Sequence, residues 1–147
     1  MVSDVNLPLG CWLVTPRRLF THHGIYAGEG RVVHYSGLSR NWRRGPVQVV
    51  SLQEFRGGRD LWVRATPRAR YGGLQAVQRA LSRVGEDRYR VITNNCEHFC
   101  TWCVDGESRS SQVERFLAWP RAIAGTVLAR LTQRLKLDSR ILAPSTQ

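Results

Sequence analysis

The stretch THHGIYAGEGRVVHYSG, residues 21–37, has the pattern of a β-hairpin and determines much of the fold. Apolar and β-branched residues lie on both sides of Gly-Glu-Gly at 28–30, and glycines permit the positive φ angles of a tight turn. A three-residue loop at this point would pair Ala27 with Arg31. We therefore predict two antiparallel strands joined by this turn.

The same register brings two histidines together. With Gly24 opposite His34, the residues His22 and His34 become diagonal neighbours on one face, with backbones ~7–8 Å apart. His23 points to the other face, because successive side chains alternate along a strand. The hairpin therefore predicts a pair of imidazoles that one further reactive group could complete.

The rest of the chain predicts a small domain that mixes strands and helices. A length of 147 residues suits one hydrophobic core. Residues 71–84 carry apolar side chains at spacings of three and four, as in an amphipathic helix, and Gly85 follows them. Further strands are predicted at residues 11–14, 47–50, 61–63 and 89–92. The predicted fold class is α+β.

The segment NNCEHFCTWC, residues 94–103, predicts a helix with a cysteine in its first turn. Asn94 or Asn95 suits the N-cap position, and Glu97 follows Asn94 at the spacing of a capping box. Cys96 would then meet the free N–H groups and the dipole of the helix N-terminus, which favour a thiolate over a thiol. The segment therefore predicts an activated nucleophile.

Cys100 and Cys103 follow Cys96 at spacings of four and seven, so the three thiols share one helix face. We expect Cys100 and Cys103 to pack in the core. The rival interpretation is a metal site, because Cys-x3-Cys-x2-Cys is also a spacing of iron–sulfur enzymes, and zinc binds thiolates with a fourth ligand. Those iron–sulfur enzymes are larger and carry the motif early, and His98 is poorly placed for zinc. We expect no metal and no other cofactor.

Residues 1–10 lack the basic start and long apolar core of a secretory signal. We therefore expect a cytoplasmic protein whose thiols stay reduced. The alternative for a chain with four cysteines is a disulfide scaffold, which would need an oxidising compartment.

A cysteine nucleophile needs a general base, which is usually a histidine. His98 lies two positions round the predicted helix from Cys96 and is a poor partner. His22 and His34 would supply the base and its orienting group if the helix docked against the hairpin.

The net charge of +11 indicates a surface that attracts phosphates, nucleic acid or anionic lipid headgroups. Because no nucleic-acid-binding motif accompanies the charge, we expect no nucleic acid partner. Residues 116–147 combine an apolar stretch with several arginines, but no uninterrupted run reaches the ~18 apolar residues of a spanning helix. We expect this tail to lie peripherally on an anionic membrane, and the alternative is a helix packed on the domain.

Three motifs occur in order: His-x-Gly-Ile-Tyr at 22–26, Val-Val-His at 32–34 and Asn-Cys-Glu-His-Phe at 95–99. In these residues the chain resembles the lecithin retinol acyltransferase family, which also includes small phospholipase A/acyltransferases. The resemblance covers about residues 8–115. It implies a circularly permuted papain-like fold with an antiparallel sheet, in which the histidine strands precede a helix that carries the nucleophile at its N-terminus.

The resemblance also implies roles for individual residues. Cys96 corresponds to the nucleophile, His22 to its base and His34 to the third polar residue, and the backbone N–H of Cys96 is the expected oxyanion donor. The residues expected to support these groups through hydrogen bonds are His23, Asn95 and His98.

The implied activity is transfer of a fatty acyl group from a phospholipid through an acyl thioester on cysteine, and then to water, an amine or an alcohol. We accordingly expect a catalytic domain over residues 1–115 and a tail over 116–147. Two other classes of function stay open. One is a papain-like cysteine peptidase or amidase, since a fold does not fix a substrate, and the other is a non-catalytic membrane- or nucleic-acid-binding module.

Overall fold

A computed structural model describes residues 6–38, 44–91, 94–115 and 117–118. The chain divides into two compact units, residues 1–110 and residues 111–147. The first unit carries the sheet and the helices that follow. Its elements are β1 (Trp12–Pro16), β2 (Thr21–Gly28), β3 (Arg31–Leu38), β4 (Arg44–Ser51), α1 (Leu52–Arg56), β5 (Trp62–Arg64), α2 (Gly73–Ser82) and α3 (Cys96–Asp105). In the second unit, residues 111–115 are helical.

The five strands form one antiparallel sheet in the order β4-β3-β2-β1-β5. This arrangement confirms the predicted α+β class and the antiparallel sheet. The hairpin of β2 and β3 lies in the middle, so both of its strands are paired on each side by a neighbour.

The hairpin register confirms the predicted pairing of Gly24 with His34. The prediction for the turn is wrong in detail, because Gly28 pairs with Arg31 and Ala27 lies in a bulge. The two turn residues that follow Gly28 both have positive φ angles, 50° and 65°, as a two-residue type I′ turn requires. The bulge absorbs one residue, so the pairing beyond it is the one that a three-residue loop would give.

Both faces of the sheet are buried. On one face, Ile25 and Val33 pack with Phe99 and Cys100 of α3 and with residues of α2. On the other face, Leu13 and its neighbours pack with Leu52 and Phe55 of α1. Because side chains alternate along β2, its residues face the two cores in turn.

Three local predictions differ from the structure. The short helix α1 was not predicted, and α2 is shorter than the predicted residues 71–84. The strand predicted at 89–92 is wrong for residues 89–91, where Arg90 makes only an isolated bridge with Asn94, and Ile92 lies outside the described residues. Next to this segment, side chains and not a neighbouring strand form the hydrogen bonds of the Arg88 backbone. The Arg88 N–H donates to the Tyr35 hydroxyl, and the Asn94 side-chain amide donates to the Arg88 carbonyl.

The predicted tail of residues 116–147 lies almost entirely outside the described residues. Among the helices that the structure does describe, none has the length and hydropathy needed to cross a membrane.

Candidate active site

His22 and His34 form a hydrogen-bonded imidazole pair. Nε2 of His22 lies 2.8 Å from Nδ1 of His34, and the two rings are nearly perpendicular, at 88°. Both side chains are buried. The structure thus brings together the two histidines that the hairpin register predicts.

Phe55 of α1 supports both rings of this pair. Its ring centroid lies 5.3 Å from that of His22 and 5.6 Å from that of His34. Gly24 makes this approach feasible, because a Cβ at that position would lie 2.9 Å from the Phe55 ring and 2.6 Å from Val32. The glycine of the His-x-Gly-Ile-Tyr motif therefore has a packing role beneath the pair.

Gln48 contacts the far side of the pair. It lies opposite His34 in the β3–β4 register, and its Nε2 atom is 3.4 Å from Nε2 of His34. No sequence pattern points to Gln48, because its role depends on a strand pairing. The result is a row of three side chains: Gln48, His34 and His22.

Burial keeps both imidazoles neutral near pH 7. The pKa of His22 is well below its usual value, first because of burial and then because of the nearby charges of His34, Arg17 and His23. The pKa of His34 is lowered to about 4, mainly by burial, although the Tyr35 backbone opposes the shift. A neutral imidazole can accept a proton, which is what a general base requires.

Cys96 begins α3, as predicted, and Asn95 is the N-cap residue. The Asn95 side-chain oxygen accepts hydrogen bonds of 3.0 Å from the backbone N–H groups of Glu97 and His98. The second half of the capping box is His98, whose Nδ1 accepts from the Asn95 N–H at 3.4 Å. The prediction that Glu97 completes the box is wrong, because the cap lies one residue later than Asn94.

Glu97 instead anchors the first turn of α3 through its side chain. Its buried carboxylate accepts from Arg64 at 2.8 Å and from the Ser110 hydroxyl at 2.6 Å. These charge-assisted bonds fix the helix end that carries Cys96.

The Cys96 thiol lies against the β2 backbone at residues 21–23. Its Sγ atom is 4.0 Å from the Thr21 carbonyl oxygen, and the backbone N–H of His23 also interacts with it. Among the described residues, the pairing of β2 with β3 begins at Gly24, so residues 21–23 of β2 are not paired with β3. The first residue of α3, Cys96, contacts this part of β2. The helix thus contacts the backbone on both sides of His22.

The same region matches a known family. The family model described as lecithin retinol acyltransferase matches residues 6–109, which is well over half of the chain.

The chain belongs to the lecithin retinol acyltransferase family.

Curated relatives agree with this assignment. The lecithin retinol acyltransferase of Bos taurus is 28% identical over 131 residues, and the comparison covers 71% of this chain and 57% of the relative. Phospholipase A and acyltransferase 2 of Homo sapiens is 31% identical over 137 residues, and the comparison covers 82% of this chain and 85% of the relative. Phospholipase A and acyltransferase 3 of Homo sapiens is 30% identical, with 79% and 81% covered. The chain therefore spans little more than half the length of the lecithin retinol acyltransferases that it matches.

In this family member the thiol is protonated at neutral pH. Burial raises the pKa of Cys96 to about 11, although backbone N–H groups of His23, Glu97 and Cys96 itself oppose the shift. The helix-end N–H groups do favour the thiolate, as expected, but the expectation that the thiolate prevails is wrong in this structure, because the loss of solvent outweighs those donors.

His23 has a structural place, unlike its neighbour His22. The Trp12 indole N–H donates to Nδ1 of His23 at 2.9 Å, and Nε2 lies 2.9 Å from the Thr21 hydroxyl. Because an indole nitrogen can only donate, Nδ1 is an acceptor and the proton is on Nε2. Both ring nitrogens are thus engaged, and burial lowers the pKa of His23 to about 4.

Arg17 is a site residue that sequence reasoning missed. Its guanidinium donates to the Phe55 carbonyl at 2.7 Å and to the Thr15 hydroxyl at 3.3 Å. Its charge lowers the pKa of His22 and interacts with the Cys96 thiol. Arg17 therefore favours a neutral imidazole and a negative sulfur at the same place.

Cys100 and Cys103 are fully buried in the core with α2, as predicted. All four cysteines are free. Within the described ranges, no group of three or more His, Cys, Asp and Glu side chains is arranged to hold a metal ion.

Proposed function

We propose that this protein is a thiol-dependent phospholipid acyl hydrolase or acyltransferase that works through an acyl thioester on Cys96. The observation that carries the proposal is the 2.8 Å hydrogen bond between His22 and His34. His22 lies on β2, and the backbone of β2 contacts the Cys96 thiol. Relatives named lecithin retinol acyltransferase and phospholipase A and acyltransferase support acyl transfer as the type of reaction. The order of elements, with histidine strands before the cysteine helix, supports a circularly permuted papain-like arrangement.

In the proposed mechanism His22 is the general base and takes the thiol proton on Nδ1. Its Nε2–H then donates to Nδ1 of His34, which holds the ring in the tautomer that a base needs. His34 in turn carries its proton on Nε2, and this N–H donates a hydrogen bond to the side-chain oxygen of Gln48. The Gln48 carboxamide is turned so that its oxygen faces the His34 ring. The Gln48 side-chain nitrogen lies 3.4 Å from Nε2 of His34, and a half-turn of the carboxamide would put its oxygen at that position.

Proton transfer accompanies attack in this mechanism. Because the pKa of the Cys96 thiol is about 11 and His22 is neutral, the resting pair is a thiol with an imidazole and not a thiolate with an imidazolium. The sulfur attacks the ester carbonyl as His22 accepts the proton, which forms the C–S bond and a tetrahedral oxyanion.

The oxyanion is held by the N-terminus of α3. The Asn95 side chain already accepts from the N–H groups of Glu97 and His98, so the Cys96 backbone N–H is the donor that we assign to the oxyanion. When the intermediate collapses, the C–O bond breaks and the lyso-lipid leaves with the proton from His22. Water, an amine or an alcohol then attacks the thioester, again with His22 as base, and restores the thiol.

The decisive experiment is intact mass spectrometry of the protein after incubation with mixed phosphatidylcholine and phosphatidylethanolamine. We expect one acyl mass on the wild type, together with released lyso-lipid. The adduct should be absent in Cys96→Ala and unchanged in Cys11→Ala, which removes a half-buried thiol elsewhere. An adduct or lyso-lipid from Cys96→Ala would refute the mechanism, and turnover of amide substrates with none of lipid would assign the site to a peptidase or amidase.

A further inference from the structure

The connection between β1 and β2, residues 17–20 (the β1–β2 tip), presents two large apolar side chains to solvent. Leu19 is 93% exposed and Phe20 is 44% exposed. The Arg17 N–H donates to the Phe20 carbonyl at 2.7 Å, so the tip is a closed turn. Both apolar side chains lie outside the two cores that the described residues form.

Arginines lie within this apolar tip and near it. Arg59 lies close enough to Arg17 for its charge to lower the pKa of Arg17, and the Arg56 side chain donates to the Arg59 carbonyl. Two exposed carboxylates, Glu54 and Asp60, are close to them in sequence. The arginines of this surface are Arg18, Arg56 and Arg59, while the Arg17 guanidinium is bonded to the Phe55 carbonyl. The surface therefore combines an apolar centre with a net positive rim, which is the pattern that binds anionic lipid surfaces.

The tip leads directly into the candidate active site. Thr21 follows Phe20, and its carbonyl oxygen is 4.0 Å from the Cys96 sulfur. At the rise of a β-strand, Leu19 and Thr21 are separated by only about 7 Å along the chain. Interfacial apolar side chains enter the boundary of headgroups and acyl chains by ~5–10 Å, so insertion of the tip would bring the site to the level of the ester bonds.

We propose that the β1–β2 tip inserts into anionic phospholipid bilayers, with Leu19 and Phe20 between the headgroups and the arginines on lipid phosphates. This inference rests on the proposed phospholipid substrate, and it assigns membrane contact to the catalytic unit itself. It also explains why two large apolar residues are exposed beside a buried thiol.

The test is sedimentation of the Cys96→Ala variant with vesicles. Because this variant lacks the proposed nucleophile, the assay measures binding without turnover of the lipid. The vesicles are phosphatidylcholine alone or phosphatidylcholine with about one third phosphatidylglycerol. We expect Leu19→Ser with Phe20→Ser to weaken partitioning to anionic vesicles by tenfold or more, about 1.4 kcal/mol. The matched control is Leu74→Ser with Leu81→Ser on α2, which removes two side chains that are 60% and 45% exposed and should change partitioning by less than about twofold.

The charged rim is tested in the same way. Arg18→Ala with Arg59→Ala should weaken binding to anionic vesicles and leave binding to phosphatidylcholine unchanged. Arg68→Ala with Arg88→Ala lowers the net charge equally at exposed positions and should have the smaller effect. Circular dichroism confirms that each variant is folded.

Two outcomes would overturn the proposal, and a third would separate it from the proposed function. Equal losses in the tip and control variants would indicate a nonspecific charge or hydrophobic effect. Unchanged vesicle binding with a reduced oligomeric state in the Leu19→Ser, Phe20→Ser variant would indicate a surface between copies of this chain. If vesicle binding requires the tip but the wild type forms no acyl-enzyme, the tip inference stands and the proposed function fails.

Discussion

Trp12 donates its indole N–H to Nδ1 of His23 at 2.9 Å, and this bond separates the roles of two adjacent histidines. His23 packs against Trp12 of the core beneath α3, whereas His22 packs on Phe55 and bonds to His34. A dipeptide of two chemically identical residues thus contributes one structural group and one candidate base.

The first prediction compares variants of these two positions. His22→Gln should slow acyl-enzyme formation by about 10²–10⁴-fold, because the general base is removed. His23→Phe should retain acyl transfer within about tenfold, but it should lower the free energy of unfolding by about 1–3 kcal/mol, because the buried Trp12 N–H loses its acceptor. The measurements are acyl-enzyme formation by mass spectrometry and urea unfolding. Equal loss of acyl transfer in both variants would contradict the assignment.

The second prediction concerns Gln48 as a positioning residue. Gln48→Leu should lower kcat by roughly tenfold with little change in KM, because His34 loses the acceptor that fixes its tautomer. Gln48→Glu restores an oxygen at that place and should recover most of kcat. It should also shift the acid limb of the pH profile, because a carboxylate raises the pKa of a neighbouring imidazole. If Gln48→Leu and Gln48→Glu have the same rate and pH profile, the role is only structural.

The third prediction concerns the protonation state of the nucleophile. With a pKa of about 11, the Cys96 thiol should react with iodoacetamide at pH 7 roughly 100-fold or more slowly than free cysteine. The rate should rise as the pH approaches 11. Peptide mapping after alkylation at several pH values measures it, and the Cys96→Ala chain supplies the background. Rapid alkylation at pH 7 would instead indicate a preformed thiolate–imidazolium pair.

The fourth prediction links the buried histidines to stability. The pKa values of His22, His23 and His34 are all lowered, so the unfolded chain binds protons before the folded chain does as the pH falls. The free energy of unfolding should therefore be nearly constant between about pH 6.5 and pH 8 and decrease from pH 6.5 towards pH 4, by up to about 1.4 kcal/mol per pH unit for each histidine. Urea unfolding across this range measures the slope. His23→Phe should have a shallower slope than the wild type, and an unchanged slope would contradict the link.

The sequence was sufficient to predict the hairpin and the relation of its histidines. The alternation of side chains along β2 and the pairing of Gly24 with His34 depend only on local register, which the turn sets. The bulge at Ala27 was not predictable in the same way, because it moves the turn by one residue while it leaves the later pairing unchanged.

The surroundings of the histidine pair could not be predicted, since they come from distant parts of the chain. Phe55 lies on a helix of five residues, which is too short to show a helical period. Gln48 and Arg17 act through strand pairing and through space, and neither residue type is distinctive in sequence. The raised pKa of Cys96 could not be predicted for the same reason. It results from the burial of the helix end by distant parts of the chain, and the capping motif carries no information on that burial.

The shortness of α1 has a kinetic consequence. Five residues do not form a persistent helix alone in water, so Leu52–Arg56 keeps its shape only while Phe55 is docked and its carbonyl is held by Arg17. A single turn of helix can open locally without global unfolding. Each such opening removes the support from both imidazole rings. We therefore expect the alignment of the two rings to depend in part on the opening and closing rates of this turn, which amide hydrogen exchange at residues 52–56 measures.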